Sequence, residues 1–299
     1  MYLSKKNRTT LNLSKKKKYC SPDPKNNTSK YTCFTKDSLI EIAKSINKHR
    51  TGKPINLNMG KKKIWEAINK QFNKCQHEWC WITQNELKNI KTDLKNNFRP
   101  EMPNEWYKDD REWLSTLDIE GSMEQHENTD HSDFWFIGAV PIDFDSPHKY
   151  GGCVVDELCK INVYELFDNG ITKIGVIFNL DRHDEPGSHW VSLYSDFDGK
   201  KIYYYDSYGY KPPKEIDVFM KRLKTQINDI HNNTNATEIK HNTIRHQYKD
   251  SECGVYSMYF IISLLNGKSF DNFTKRVNLD DDVVHKKRAD WFTPGKLLI

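Results

Sequence analysis

The sequence predicts an α+β protein in which helices flank a mostly antiparallel central sheet, with a helical arm preceding it. Three observations support this fold class. Apolar residues recur at helical spacing in the first third of the chain, runs rich in Val, Ile, Tyr and Phe follow in the second half, and no internal repeat is evident. With 299 residues the chain can form one large domain or two modest ones.

The composition is that of a globular protein without a membrane span. Hydrophobic residues make up 36% and charged residues 29% of the chain, and no run approaches the roughly 18 apolar residues that a transmembrane helix needs. No apolar stretch follows the basic N-terminus, so it does not resemble a secretory signal. We therefore expect a reducing compartment, in which a chain of this size does not depend on disulfides.

Residues 1–30 are predicted to form a disordered basic tail. The net charge of the whole chain is +5, and residues 1–20 alone contain seven Lys or Arg side chains and no acid. The remainder is therefore close to neutral. The segment Lys5–Lys18 could contact nucleic acid or a nuclear import factor. The alternative is a solvated tail without a partner.

Residues 31–130 are predicted to form the helical arm. Helical spacing of apolar residues runs from Thr35 to Asn47, with Thr35 or Asp37 as the N-cap. The same spacing in residues 61–98 predicts one or two further helices. A polar, histidine-containing stretch then marks the boundary to the next domain.

Cys75 and Cys80 flank a histidine in this arm and raise the question of a metal site. A closed zinc site needs four ligands, and no second pair of ligands lies nearby in the sequence. We therefore interpret these cysteines as two thiols on a helix face. The sequence predicts neither a metal nor a cofactor.

Residues 131–299 are predicted to form the second domain. A helical segment is followed by three runs that favour strands because they are rich in β-branched and aromatic residues. These runs are Ile171–Leu180, His189–Tyr194 and Lys201–Tyr205. A helix over Lys214–Ile230 and a short strand near Glu238–His246 complete the pattern.

The dipeptide Asp198-Gly199 predicts a tight hairpin between two of these strands, with positive φ at both turn positions. If the residues flanking the turn pair with each other, Asp206 lies opposite Val191, which shares a face with His189. His189 and Asp206 are then diagonal neighbours roughly 7 Å apart at Cα. A slip by one residue would send one of them to the other face. The hairpin alone thus predicts that the histidine lies beside a carboxylate that can orient it.

Cys253 precedes Gly254 and an apolar run, which predicts that it opens a buried helix. The helix N-terminus and a protonated His189 would stabilise its thiolate. Gln247, six residues earlier, could offer its side-chain amide to an oxyanion together with the backbone N–H of Cys253. With Asp206 to orient the histidine, these are the parts of a cysteine peptidase. Each residue alone also has an ordinary structural interpretation, and it is their order and the hairpin register that favour the site.

At these residues the chain resembles the SUMO- and ubiquitin-like-protein-specific cysteine proteases, the group that includes the adenovirus protease. That family has His-Trp, an Asp or Asn after a strand, Gln, and Asp-Cys-Gly in this order. The matching pieces here are His189-Trp190, Asp206-Ser207, Gln247 and Glu252-Cys253-Gly254. The resemblance implies a papain-like or adenain-like core over roughly residues 134–270. It also implies that Trp190 roofs a narrow channel for two glycines, and Glu252 departs from the usual Asp.

Within the family the chain looks most like the proteases of large cytoplasmic DNA viruses, such as African swine fever virus and mimivirus. This implies a thiol protease that cleaves protein substrates at Gly-Gly-X sites in structural polyproteins during virion maturation. It would act in the host cytoplasm, in viral factories or in the virion, and the basic tail leaves a nuclear location open. The alternatives are a SUMO or ubiquitin-like deconjugating protease, an acetyltransferase on the same scaffold, and an inactive nucleic-acid-binding virion component.

Overall fold

The structure is a computed structural model that describes residues 19–22, 29–127, 131–232, 236–275 and 279–295. Contacts divide the chain into two compact units, residues 1–103 with 289–299 and residues 104–288. This division differs from the predicted boundary at 130/131, because a helix over residues 116–123 packs against the first strand of the sheet. The predicted basic segment Lys5–Lys18 lies outside the described residues.

The first unit consists of short helices around an apolar core of its own. They are α1 (Lys36–His49), α2 (Lys61–Gln71), α3 (Glu78–Trp81) and α4 (Lys91–Lys95), with a 3₁₀ turn at Asn85–Ile90. The start of α1 is as predicted, since the Thr35 hydroxyl accepts a hydrogen bond from the Ser38 N–H at 3.0 Å. Fully buried Trp81 stacks on Phe34 in the centre of this core.

The cysteines correct two expectations. Cys75 and Cys80 are joined in a disulfide and are not the free thiols that the helix-face interpretation requires. The chain also carries disulfides despite its size. Each bonded pair of cysteines is 5 to 13 residues apart in sequence, and the two Cα atoms of each pair lie 5.0 to 6.4 Å apart, within the range that a disulfide allows. Cys253 is the free cysteine among the described residues. The pairs are Cys20–Cys33, Cys75–Cys80 and Cys153–Cys159.

In the second unit, the described residues form one five-stranded sheet in the order β1-β2-β3-β4-β5. The strands are β1 (Phe134–Pro141), β2 (Lys173–Asn179), β3 (Trp190–Asp196), β4 (Lys201–Tyr205) and β5 (Glu238–His241). The sheet is mixed, because the β2–β3 and β3–β4 pairs are antiparallel whereas β1–β2 and β4–β5 are parallel. The prediction of a mostly antiparallel sheet is therefore wrong. The long connections before β2 and before β5 contain helices and return the chain to the same end of the sheet.

Helices surround this sheet and complete its core. They are α5 (Thr116–Met123), α6 (Asp156–Cys159), α7 (Val163–Asp168), α8 (Lys214–Ile230), α9 (Cys253–Leu265), α10 (Phe270–Thr274) and α11 (Asp281–His285). The division between the two units at 288/289 falls within α12 (Arg288–Trp291). The apolar residues of α8 join those of the central strands in one buried cluster, and α9 packs on β3 and β2. None of the described helices combines the length and apolar character required to cross a membrane.

Candidate active site

The β3–β4 hairpin has the predicted register. Ser192 lies opposite Tyr205 and Asp196 opposite Lys201, so His189 and Asp206 follow at the same end of the two strands. The turn differs from the prediction, because neither of its central residues has positive φ and the left-handed residue is Lys200 at 54°. A glycine is favoured at position 199 because the Asp196 carboxylate accepts a hydrogen bond from the Gly199 N–H at 2.8 Å and occupies the space that a Cβ would need.

This register brings His189 and Asp206 into direct contact. The Nε2 atom of His189 lies 2.8 Å from Oδ1 of Asp206. That oxygen also accepts a hydrogen bond from the Tyr208 N–H, and the Asn242 side chain binds both the N–H and the carbonyl of Asp206. Asp206 is only 1% exposed. Two hydrogen bonds thus orient the carboxylate and two more hold the backbone of Asp206, so the carboxylate can fix the ring of His189.

Cys253 is the first residue of α9, and its thiol interacts with His189. Burial by itself lowers the pKa of His189. Hydrogen bonds to Asp206 and Cys253, together with the negative charges of both residues, outweigh burial and raise the pKa of His189 from 6.5 to about 9. Because Nε2 faces Asp206, the Nδ1 atom is left for the thiol. The arrangement favours the imidazolium form of His189 near neutral pH.

Gln247 is fully buried, and its side chain is held at both ends. Its Oε1 atom accepts a hydrogen bond from the Ser207 hydroxyl at 2.6 Å, and its Nε2 atom donates to the Lys249 carbonyl at 2.5 Å. An amide nitrogen carries two hydrogens, so one N–H is still available to an oxyanion. The dipeptide Asp206-Ser207 thus positions the histidine with one residue and Gln247 with the next.

Trp190 and Leu114 enclose the start of α9. The indole Nε1 of Trp190 donates to the Leu114 carbonyl at 3.1 Å. A Cβ at Gly254 would lie 3.2 Å from Leu114 and 3.3 Å from Trp190, so both side chains pack closely against the residue that follows Cys253. Trp113, which is 43% exposed, precedes Leu114. Trp190 is predicted from the sequence, but the segment around Leu114 is not, because its apolar residues alone give no signal of proximity to the site.

Comparison with known proteins identifies the family. The pattern of the Ulp1 protease family, C-terminal catalytic domain, matches residues 168–297. A thiol protease of Acanthamoeba polyphaga mimivirus is 33% identical over 310 aligned positions, which cover 93% of this chain and 96% of the relative. The chain belongs to the Ulp1 family of cysteine proteases.

Two further comparisons concern African swine fever virus. Its cysteine protease is 32% identical over 120 residues, which cover 40% of this chain and 43% of that protein. A crystal structure of the same viral protease is similar in fold, with a TM-score of 0.63, 20% sequence identity, and coverage of 95% of this chain and 99% of that chain. The chain is therefore a thiol protease that resembles viral enzymes over most of its length.

Glu252, where the family usually has Asp, directly precedes Cys253 and is fully buried in an ion cluster. The Nε atom of Arg288 lies 3.0 Å from its Oε2 atom, and the Nδ1 atom of His285 lies 3.0 Å from its Oε1 atom. Arg288 also binds the Ser251 carbonyl at 3.2 Å. The longer side chain therefore has partners for both oxygens, and the cluster fixes the backbone that leads into Cys253.

We expect Ser207→Ala to lower kcat of this protease by about 2- to 10-fold with little change in KM, because one neutral hydrogen bond to Gln247 is worth roughly 0.5–1.5 kcal/mol. Steady-state kinetics on a peptide substrate would measure kcat and KM separately. Ser195→Ala is the matched control, since its hydroxyl lies on the same hairpin but binds the Lys201 carbonyl. An equal loss in both variants would show that Ser207 acts on the hairpin fold and not on Gln247.

Proposed function

We propose that this protease cleaves peptide bonds after Gly-Gly, and that its substrates include structural polyproteins of a virus. The first part rests on Trp190 and Leu114, which pack against Gly254 next to Cys253 and which we infer to form the wall of a channel too narrow for side chains. The second part is supported by relatives from mimivirus and African swine fever virus. By this proposal, the enzyme acts in the infected host cell or the virion.

The geometry supports a role for each site residue. The Cys253 thiolate attacks the carbonyl carbon of the second glycine, and the backbone N–H of Cys253 with the amide of Gln247 binds the resulting oxyanion. His189 then gives its proton to the leaving amine, and Asp206 holds the ring in place. In the second step His189 takes a proton from water, which releases the acyl group from the sulfur. These residues need no metal for this sequence.

A pair of fluorogenic peptides tests the substrate class. We expect a peptide with Gly-Gly before the scissile bond to be cleaved with a kcat/KM about 10- to 200-fold higher than its Gly-Ala counterpart, the usual range for one methyl group in a tight pocket. Similar values for both peptides would rule out the narrow channel. Labelling of Cys253 by an alkylating probe in the same samples confirms that the enzyme is active.

A deconjugating activity is the second candidate, because several African swine fever virus relatives bear the name SUMO-1 cysteine protease. A folded ubiquitin-like protein fused through Gly-Gly to a reporter separates the two functions. A polyprotein-processing enzyme should cleave the short peptide at least as well as the fusion, whereas a deconjugase should prefer the fusion. The proposed contact of Lys5–Lys18 with nucleic acid or an import factor concerns a segment outside the described residues.

A further inference from the structure

Arg245 lies on the surface of the second unit between two tyrosine rings. Its guanidinium carbon is 4.9 Å from the ring centre of Tyr208 and 4.9 Å from that of Tyr248. Its Nε atom donates to the Gln247 carbonyl at 2.6 Å, so the stem of the side chain is fixed as well. Contacts of this kind hold a guanidinium in one plane and leave its outer N–H groups available.

This tyrosine–arginine clamp is continuous with the site. The ring of Tyr208 stacks on His189, with ring centres 4.5 Å apart and planes 15° apart. The backbone of Tyr248 is anchored by a hydrogen bond from its N–H to buried Asp281 at 2.9 Å, although its ring is 70% exposed. A chain of ring contacts thus leads from the candidate proton donor to an exposed cation.

The clamp has no acidic partner among the described residues. Two other arginines of this unit that the structure describes are in ion pairs: Arg111 with Asp282 and Arg288 with Glu252. Arg245 has ring contacts and one backbone acceptor instead. An ordered guanidinium without a carboxylate is well suited to bind one from another molecule in bidentate geometry.

We propose that Arg245 binds an acidic side chain in the part of the substrate that leaves with the amine. Tyr208 of the clamp covers His189, which protonates the leaving amine, so the clamp lies on the leaving-group side of the scissile bond. Trp190 and Leu114 lie on the other side, where the glycines bind. Arg245 is thus a specificity-determining residue of the protease. The inference rests on the proposed Gly-Gly cleavage and adds a second feature to the substrate.

The test uses Gly-Gly peptides that carry Glu, Gln or Lys at one of the first four positions after the scissile bond. At low salt, kcat/KM should be about 3- to 5-fold higher for Glu than for Gln at one position, as expected for an ion pair near the surface. The ratio should approach one at high ionic strength. Arg245→Gln should abolish the preference, and Arg245→Glu should reverse it in favour of Lys.

Lys286→Gln is the matched control, because it removes one positive charge from an exposed position of the same unit and should retain the preference for Glu. Affinities of the same peptides for the Cys253→Ala protein, measured by fluorescence anisotropy, test the clamp without turnover. A failure of Gly-Gly cleavage therefore remains distinguishable from a failure of the clamp. The inference is overturned if Arg245→Gln keeps the Glu-to-Gln ratio, or if the preference lies before the scissile bond.

Discussion

Replacement of Cys253 by Ala should abolish peptide hydrolysis, with a loss of kcat of about 10⁶-fold, the size seen when the nucleophile of a comparable protease is removed. No other described cysteine can substitute, because the remaining six are joined in disulfides. The change removes only a sulfur atom from a residue that is 2% exposed. The thermal unfolding midpoint should therefore shift by only a few degrees.

The control for this prediction is a map of reactive thiols. An alkylating probe applied to the native protein without reductant should label Cys253 alone, and digestion followed by mass spectrometry would locate the label. Cys159→Ala, which opens the Cys153–Cys159 disulfide of the same unit, should keep peptidase activity. Turnover retained by Cys253→Ala would contradict the assignment of the nucleophile, as would labelling confined to another cysteine.

The part of the site that depends on local geometry could be predicted from the sequence. Strand pairing has a period of two, so the position of one turn determines which residues meet along the entire hairpin. This is why the pairing of His189 with Asp206 follows from Asp198-Gly199 even though the turn itself has a different conformation. Register depends on the number of residues in the loop, and the type of turn does not change that number.

The parts that depend on distant segments could not be predicted. The contact of Trp190 with Leu114 joins residues 76 apart in sequence, and the ion pair of Glu252 with Arg288 joins residues 36 apart. Neither pair has a spacing that periodicity can reveal. The mixed sheet was missed for the same reason, since strand direction after a long connection depends on the end of the sheet to which that connection returns the chain.

The Ser207 contact with Gln247 is an intermediate case. The two residues are 40 apart, but Ser207 directly follows the predicted carboxylate and Gln247 was itself predicted. A hydroxyl next to Asp206, in a segment that must approach the site, could have been read as a partner for the amide. The free Arg245 had no such signal, because an exposed arginine is common and only its two ring contacts set it apart.

Asp206→Ala should reduce kcat by about 10²- to 10⁴-fold and leave some residual activity, because Asp206 orients His189 and does not itself react. Steady-state kinetics with a Gly-Gly peptide would measure the loss. Asp206→Asn keeps the shape but removes the charge and replaces one acceptor oxygen by an NH2 donor, so its kcat should lie between those of the native enzyme and Asp206→Ala. Asp198→Asn at the hairpin turn is the matched control and should retain activity, since its carboxylate is exposed and distant from the ring.

The pH dependence of kcat/KM distinguishes two effects of Asp206 on His189, the orientation of the ring and the stabilisation of its protonated form. In the native enzyme the pKa of His189 is about 9, so the imidazolium that protonates the leaving amine is present below that pH and is lost as the pH rises through it. The same raised pKa contributes folding stability that is fully present below the unfolded value near 6.5 and disappears as the pH rises through 9. Because the hydrogen bond and charge of Asp206 help to raise this pKa, Asp206→Ala should move the alkaline limb of kcat/KM to lower pH. An alkaline limb that stays near pH 9 in the variant would show that Cys253 alone holds the proton on His189, and that Asp206 serves only to position the ring.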